Sequence, residues 1–221
     1  VDDRMTKQVY GKFPDASKFK DYREMLEQLG DKIDAVTIST PDHLHFDQAM
    51  AAVKAGKHVY VEKPLCQTIE QTRRLKAAAD KAGVKTQMGN QGHSRPGIRD
   101  FKEQVMAGMI GNVKNIDAWT DRPSGWWAQG MEKLPEAGKV PKGLNWDLWR
   151  NGVEAAYSEA YLPFKWRGWT QWGSGALGDM ACHILDPVYY ALDLGLPDWI
   201  EAEVEGGSKF AYPNKSTVTY H

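Results

Sequence analysis

VYVEKP, residues 59–64, opens with the β-branched and aromatic side chains of a buried strand and then runs straight into Glu62, Lys63 and Pro64. Charges at such a place need a reason. One is a solvated strand end closed by a proline turn; the other is chemistry, because open α/β sheets bind ligands beyond the carboxyl ends of their strands. Working outward, DAVTIST (34–40) reads as a strand ahead of a helix opened by Pro41 and Asp42, with Phe46, Met50 and Val53 at helical spacing and Gly56 at its end. After HVYVE (58–62), Thr68 and Gln71 form a capping box for a helix carrying Ile69, Leu75 and Ala79, which stops at Gly83. VKTQMG (84–89) is a third strand, and Pro96 precedes a helix with Ile98, Phe101, Val105 and Met109 on one stripe, ending at Gly111. Strands starting about 25 residues apart, each followed by a helix, imply right-handed crossovers and a parallel sheet covered on both faces, the α/β pattern of half a doubly wound domain.

Beyond Gly111 the pattern changes. VKNIDAWT (113–120) reads as a half-buried or edge strand, and a stretch rich in Trp, Gly and Pro runs on to Gly175. A helix is expected from Gly178 to Leu194. IEAEVEG then sets Ile200, Ala202 and Val204 against three glutamates, the alternation of a sheet with one wet side, and STVTYH (216–221) alternates likewise. The expected organisation is a partial doubly wound unit over 1–111 and a partial α+β unit with an open antiparallel sheet over 112–221. Both ends read as cut from a longer protein. Residues 19–30 make one helix, VDD resembles the tail of a strand, no Gly-rich turn precedes, and STVTYH stops in mid-strand.

Composition narrows the function classes. A chain of 221 residues, 42% hydrophobic and 26% charged, can bury a sizeable core. Lys plus Arg (28) nearly balance Asp plus Glu (29), which leaves no net field for nucleic acid or an acidic membrane surface. No apolar run approaches the ~20 residues of a membrane span. Two cysteines, Cys66 and Cys182, are too few for a disulfide framework and lack the spacing of a structural zinc site, so the redox compartment stays open. Most of the nine tryptophans lie between Trp119 and Trp172, which implies an aromatic-lined surface or core there.

Several clusters carry groups suited to chemistry. TPDHLH (40–45) stands at a strand end entering a helix, where free N–H groups favour a polar or anionic ligand; simple capping by Asp42 is the alternative. His43 and His45 diverge by roughly 200° on that helix, which argues against joint metal ligation. In Glu62-Lys63-Pro64 a cis Lys–Pro bond would turn Lys63 into the cleft above the sheet, where partial burial would suit proton transfer. In GDMACHILD, Asp179 and His183 are four apart on one helical face, fit for a carboxylate tuning an imidazole, for a metal pair, or for a cap beside an exposed histidine. In YLPFKWRGWTQWGSGALG, Trp166, Arg167, Trp169 and Trp172 offer stacking planes and a cation, or ordinary core packing, and Gly173, Gly175 and Gly178 permit close backbone approach.

In combination and order, these pieces resemble the glucose–fructose oxidoreductase and inositol dehydrogenase family, Gfo/Idh/MocA. Thr40, Pro41 and His45 stand as T-P-x-x-x-H, Glu62-Lys63-Pro64 follows about twenty residues later, and a Gly-rich turn with Asp179-x-x-x-His183 lies in the next domain. WWAQG, LNWDLWRNG and YLPFKWR resemble a bacterial subgroup frequently exported by the twin-arginine route, which keeps both cytoplasm and periplasm open. The resemblance implies a Rossmann-like dinucleotide-binding domain over 1–111, a substrate and oligomerisation domain over 112–221, NAD or NADP as cofactor, and no metal. It implies a sugar, cyclitol or similar polyol as substrate and a homo-oligomer formed through the C-terminal sheet. Lys63, Asp179 and His183 become the catalytic, substrate-contacting set with His93 nearby; Thr40, Pro41, His45, Glu62, Gln91, Trp166 and Arg167 are placed at the cofactor. In that scheme Lys63 hydrogen-bonds the substrate oxygen, His183 takes the hydroxyl proton, Asp179 orients His183 or binds a neighbouring hydroxyl, and hydride passes to the nicotinamide.

One departure bears on all of this. The family's G-x-G-x-x-G turn, with its flanking strand and helix, is missing ahead of Asp34, so Asp2 or Asp3 is the nearest stand-in for the acid that holds the adenosine ribose. Two other functions remain open at this level. One is a redox-neutral, NAD-dependent enzyme that cleaves glycosides by oxidation and elimination; the other is a catalytically incomplete scaffold.

Overall fold

A computed structural model describes residues 1–221. Helices α1 (Asp3–Lys12) and α2 (Tyr22–Leu29) lead into a three-stranded parallel sheet, β1 (Ala35–Ile38), β2 (His58–Glu62) and β3 (Thr86–Gly89), in the order β1-β2-β3. Register sets Val36 beside Val59 and Ile38 beside Val61. These side chains meet α3 (Asp42–Lys54) and α4 (Ile69–Ala82) in a core of Ile38, Phe46, Ala49, Ala52, Val53, Val59, Val61, Leu75 and Ala79. Alanines at 49 and 52 let α3 lie close on the strands, and each buried valine contributes roughly 1.5–3 kcal/mol. The Thr68 hydroxyl caps Gln71 N–H at 3.1 Å; Gln71 reaches back one residue beyond the usual box, accepting from Gln67 N–H at 3.2 Å.

Only one face of this sheet is covered by helices, against the expectation of two. Successive crossovers of one hand that advance in one direction place α3 and α4 on the same side, and the opposite row, Thr37, Tyr60 and Gln87, is exposed or half-buried. Helix α5 (Pro96–Met106) instead packs on α8 (Asp186–Leu192). It stops short of Gly111, and Met109 lies exposed beyond it.

The second half is built on aromatic rings. A buried cluster joins Leu144, Trp146, Trp149, Tyr157, Tyr161, Trp166, Trp169 and Trp172, so the tryptophans form a core. Trp146 stacks on Trp149 of α6 (Trp146–Arg150) at 5.0 Å, and Trp172, fully buried, stands edge-on to both. This cluster docks on the first turn of α3. His43 N–H donates to the Trp172 carbonyl at 3.1 Å, and the His43 ring donates from Nε2 to the Trp149 carbonyl at 2.8 Å.

Several sequence expectations need correction. Residues 113–120 form no strand. The helix expected over 178–194 is two, α7 (Gly175–Ile184) and α8, broken at Leu185 because Pro187 cannot extend the hydrogen-bond ladder. VDD is not strand: Asp2 caps α1, with a lone bridge to Leu144. Strands β4 (Ile200–Glu205) and β5 (Lys215–Tyr220) pair antiparallel as expected, yet both faces are open, with Ile200 and Val204 exposed at 55% and 60%.

Candidate active site

The carboxyl end of β2 delivers Glu62 and Lys63, and the first turns of α7 deliver Asp179. Lys63 Nζ donates to Asp179 Oδ1 at 2.6 Å and to the Asp179 backbone carbonyl at 2.8 Å, closing a contact between residues 116 apart in sequence. The Lys63–Pro64 bond is cis. Both side chains are largely buried, Lys63 15% and Asp179 7% exposed. Two further cations face the same carboxylate: Arg122 Nη1 at 3.3 Å from Oδ2 and Arg167 Nε at 3.4 Å from Oδ1. Aromatic planes hold both guanidiniums. Arg122 lies 3.8 Å over Trp126, and Arg167 lies 4.0 Å over Phe164 and 4.2 Å over Trp166.

His183, one turn along α7, is half-buried. Burial first, and then the Lys63 ammonium, push its pKa below the ordinary imidazole value, with Asp179 opposing. Asp179, expected to orient this ring or to bind a neighbouring substrate hydroxyl, turns its carboxylate to three cations, Lys63 beyond β2, Arg122 and Arg167.

Behind Lys63 stands His45, almost wholly buried, with Nδ1 2.7 Å from the Pro64 carbonyl and Nε2 2.7 Å from the Thr40 carbonyl. It ties together the ends of β1 and β2, and both ring nitrogens are engaged there. Asp42 is likewise buried and is no cap; its carboxylate accepts from the Ser174 hydroxyl at 2.5 Å, and burial raises its pKa against that hydrogen bond. Thr40 Oγ1 bonds Gln48 at 3.0 Å. A cavity of about 430 Å³ opens along the unpaired edge of β1, lined by Val36, Ile38, Thr40, Pro41 and Leu44; it does not reach Lys63 or Asp179.

Other sequence-derived candidates lie outside the Lys63–Asp179 contact. Trp166 belongs to the buried aromatic core, so its ring serves packing and a seat for Arg167. Gln91 lies exposed beyond β3, and His93 turns to α8, with Nδ1 2.9 Å from Asp186 Oδ1. Asp2 pairs with Arg4 and Asp3 with Lys20 at the surface. Gly173-Ser-Gly175-Ala-Leu-Gly178 has G-x-G-x-x-G spacing, but the chain fills the approach itself. A Cβ at Gly173 would strike the Arg167 backbone, one at Gly175 the Tyr212 ring and one at Gly178 the Ser174 side chain, while Ala176 N–H already donates to Gln129 at 2.8 Å. Arg122 and Asn90 escaped the sequence reading. The signal for Arg122 was RPSGWW (122–127), a cation beside indole planes like KWRGW.

His43 carries a pH prediction. Burial lowers its pKa from 6.5 to about 4, and Nδ1 has no partner. The unfolded chain therefore takes the proton first, so stability falls as pH drops from the unfolded value toward the folded one, by ~3 kcal/mol across that window. Urea unfolding at neutral and mildly acidic pH checks this, and His43→Gln is expected to flatten that part of the pH dependence.

Comparison with known proteins adds a family. A family model described as "Oxidoreductase family, NAD-binding Rossmann fold" matches residues 3–90, and its companion, "Oxidoreductase family, C-terminal alpha/beta domain", matches residues 95–215. The chain is 26% identical over 215 residues, 97% of its length, to scyllo-inositol 2-dehydrogenase (NADP(+)) IolW of Bacillus subtilis, covering 48% of that protein. It is 26% identical over 186 residues to levoglucosan dehydrogenase of Pseudarthrobacter phenanthrenivorans, which spans 81% of this chain and 39% of that one. A solved NAD binding oxidoreductase from Klebsiella pneumoniae superposes on 92% of this chain and 45% of that one with a TM-score of 0.60 at 28% identity. The chain thus spans half or less of the length of these relatives.

Proposed function

We propose that this chain, which belongs to the Gfo/Idh/MocA oxidoreductase family, is the part of an NAD(P)-dependent dehydrogenase that handles a hydroxyl-bearing carbon of a sugar or cyclitol. The observation that carries this reading is the buried Lys63–Asp179 contact, which joins the carboxyl end of the parallel sheet to the helix of the second unit. The residues present suit the nicotinamide half of such a cofactor. Asn90 Oδ1, immediately beyond β3, is a buried acceptor without a partner, and Glu62, Thr40 and Pro41 stand at the neighbouring strand ends. When bound, a nicotinamide supplies the hydride donor or acceptor.

The chain's own groups do the rest. An ammonium has three N–H donors, and Lys63 spends two on Asp179, so the third is free for a substrate oxygen whose charge changes during reaction. Asp179 and its cations fix that direction. His183, kept neutral at neutral pH by burial and by Lys63, accepts the proton of the substrate hydroxyl. Assembly through the exposed face of β4 and β5, bearing Ile200 and Val204, belongs to the same reading. No helix of the chain is long and apolar enough to cross a membrane.

A scan of free sugars, cyclitols and glycosides with NAD and NADP, using the full-length dehydrogenase and followed by the absorbance of reduced nicotinamide, tests the proposal. Net formation with at least one polyol is expected, and none with any would overturn it. A second check follows from the sign of the His183 shift: because Lys63 lowers that pKa, Lys63→Met should raise it. An NMR titration of the His183 ring reads this without requiring turnover.

A further inference from the structure

We propose that the substrate carries a carboxylate near its reacting carbon, making it an acidic sugar of the uronate or aldonate class in preference to a neutral polyol. This rests on the reading above for where the substrate lies. Three cations converge on Asp179, but only Lys63 is held closely, at 2.6 Å; Arg122 and Arg167 touch the carboxylate at 3.3 and 3.4 Å, the long end of hydrogen bonding. Arg167 spends Nη1 on the Phe164 carbonyl at 3.2 Å. Its Nη2, and both Nε and Nη2 of Arg122, have no protein acceptor.

Asp42 acts on Arg167 through its charge, but neither Asp42 nor Glu62 forms an ion pair with either guanidinium. Asp42 accepts from the Ser174 hydroxyl, and burial raises its pKa against the pull of that bond and of Arg167 and Lys63, while the Glu62 carboxyl lies against Gly89 of β3. Burial is the first cause that lowers the Arg167 pKa, opposed by the charges of Asp179 and Asp42, and the nearby Arg122 charge adds to the lowering, so a further anion beside Arg167 would be favoured. Stacking on Trp126, Phe164 and Trp166 fixes the planes beforehand, which reduces the ordering entropy of binding. A planar guanidinium with two adjacent free N–H donors, as Arg122 has, matches a carboxylate bidentately, whereas a neutral hydroxyl offers a single weaker acceptor.

Because Trp126 stacks on Arg122, intrinsic fluorescence reports binding directly. Glucuronate and glucose, titrated separately into the protein with NAD present, form a matched pair differing in one carboxylate. Glucuronate is expected to bind on the order of 10- to 100-fold more tightly, with Arg122→Gln losing most of that preference and Arg122→Lys retaining part of it. Equal affinities, or no saturable binding of either sugar, overturn the inference. If the glutamine variant does not fold, as read by its melting curve, the wild-type comparison alone decides. The two proposals separate cleanly: a uronate preference without reduced nicotinamide forming on any substrate sinks the oxidoreductase reading, while turnover of neutral polyols with equal affinities sinks this one.

Discussion

Replacing Lys63 with alanine is expected to lower kcat on the order of 10²-fold or more while leaving the protein folded. The free third N–H of the ammonium is what aims at the substrate oxygen, and no neighbour can replace it. Arg122 and Arg167 are pinned over Trp126, Phe164 and Trp166 and hold Asp179 rather than the oxygen that Lys63 faces. Stability should hold because the buried Asp179 keeps both guanidiniums after Lys63 is gone, so no carboxylate is stranded without a counter-charge. Steady-state kinetics separate the cases. A fall in kcat with little change in KM marks a group acting in the transition state, and equal rises in KM alone would mark mere binding. An alanine variant with full turnover would remove Lys63 from the chemistry.

Trp172→Ala is expected to destabilise the protein by about 3–5 kcal/mol, the cost of deleting a large ring from a packed core. Trp172 is fully buried, with ring contacts at 5.0 Å to Trp149 and His43, 5.5 Å to Tyr161 and 5.7 Å to Trp146. Its carbonyl also receives His43 N–H, so the ring sits at the seam between the aromatic cluster and α3. The neighbouring rings are themselves large and stiff, which limits how far the cavity can collapse. Urea unfolding of the variant beside Trp119→Ala supplies the contrast. Trp119 is 81% exposed, and its removal should cost no more than about 0.5 kcal/mol. Similar losses at both sites would refute the packing account.

The parallel sheet could be read locally because its signals are local: alternating strand runs, the Thr68 cap, and glycines after α3 and α4 lie within a few residues of the structure they specify. The antiparallel pairing of β4 and β5 was legible for the same reason. Misreadings arose where partners were distant. Residues 113–120 carry strand-like residues but find no neighbouring strand, and the row Thr37, Tyr60, Gln87 looked like one side of a covered sheet until the crossovers placed both helices opposite. Trp166 offered a stacking plane in sequence, and its neighbours turned that plane into core.

What residue order alone established is the list of chemical groups and their local settings: an ammonium after a strand, a carboxylate and an imidazole on one helical face, and cations flanked by indoles. Folding settled which of them meet. Lys63, Arg122, Arg167 and Asp179 come from a strand end, a loop, a 3₁₀ turn and a helix, and the three cations meet at the Asp179 carboxylate across chain separations that no periodicity encodes. The physical reason is range. Helix and strand preferences act over a handful of residues, whereas the choice of counter-ion for a buried carboxylate depends on every charge that packing brings within a few ångströms of it.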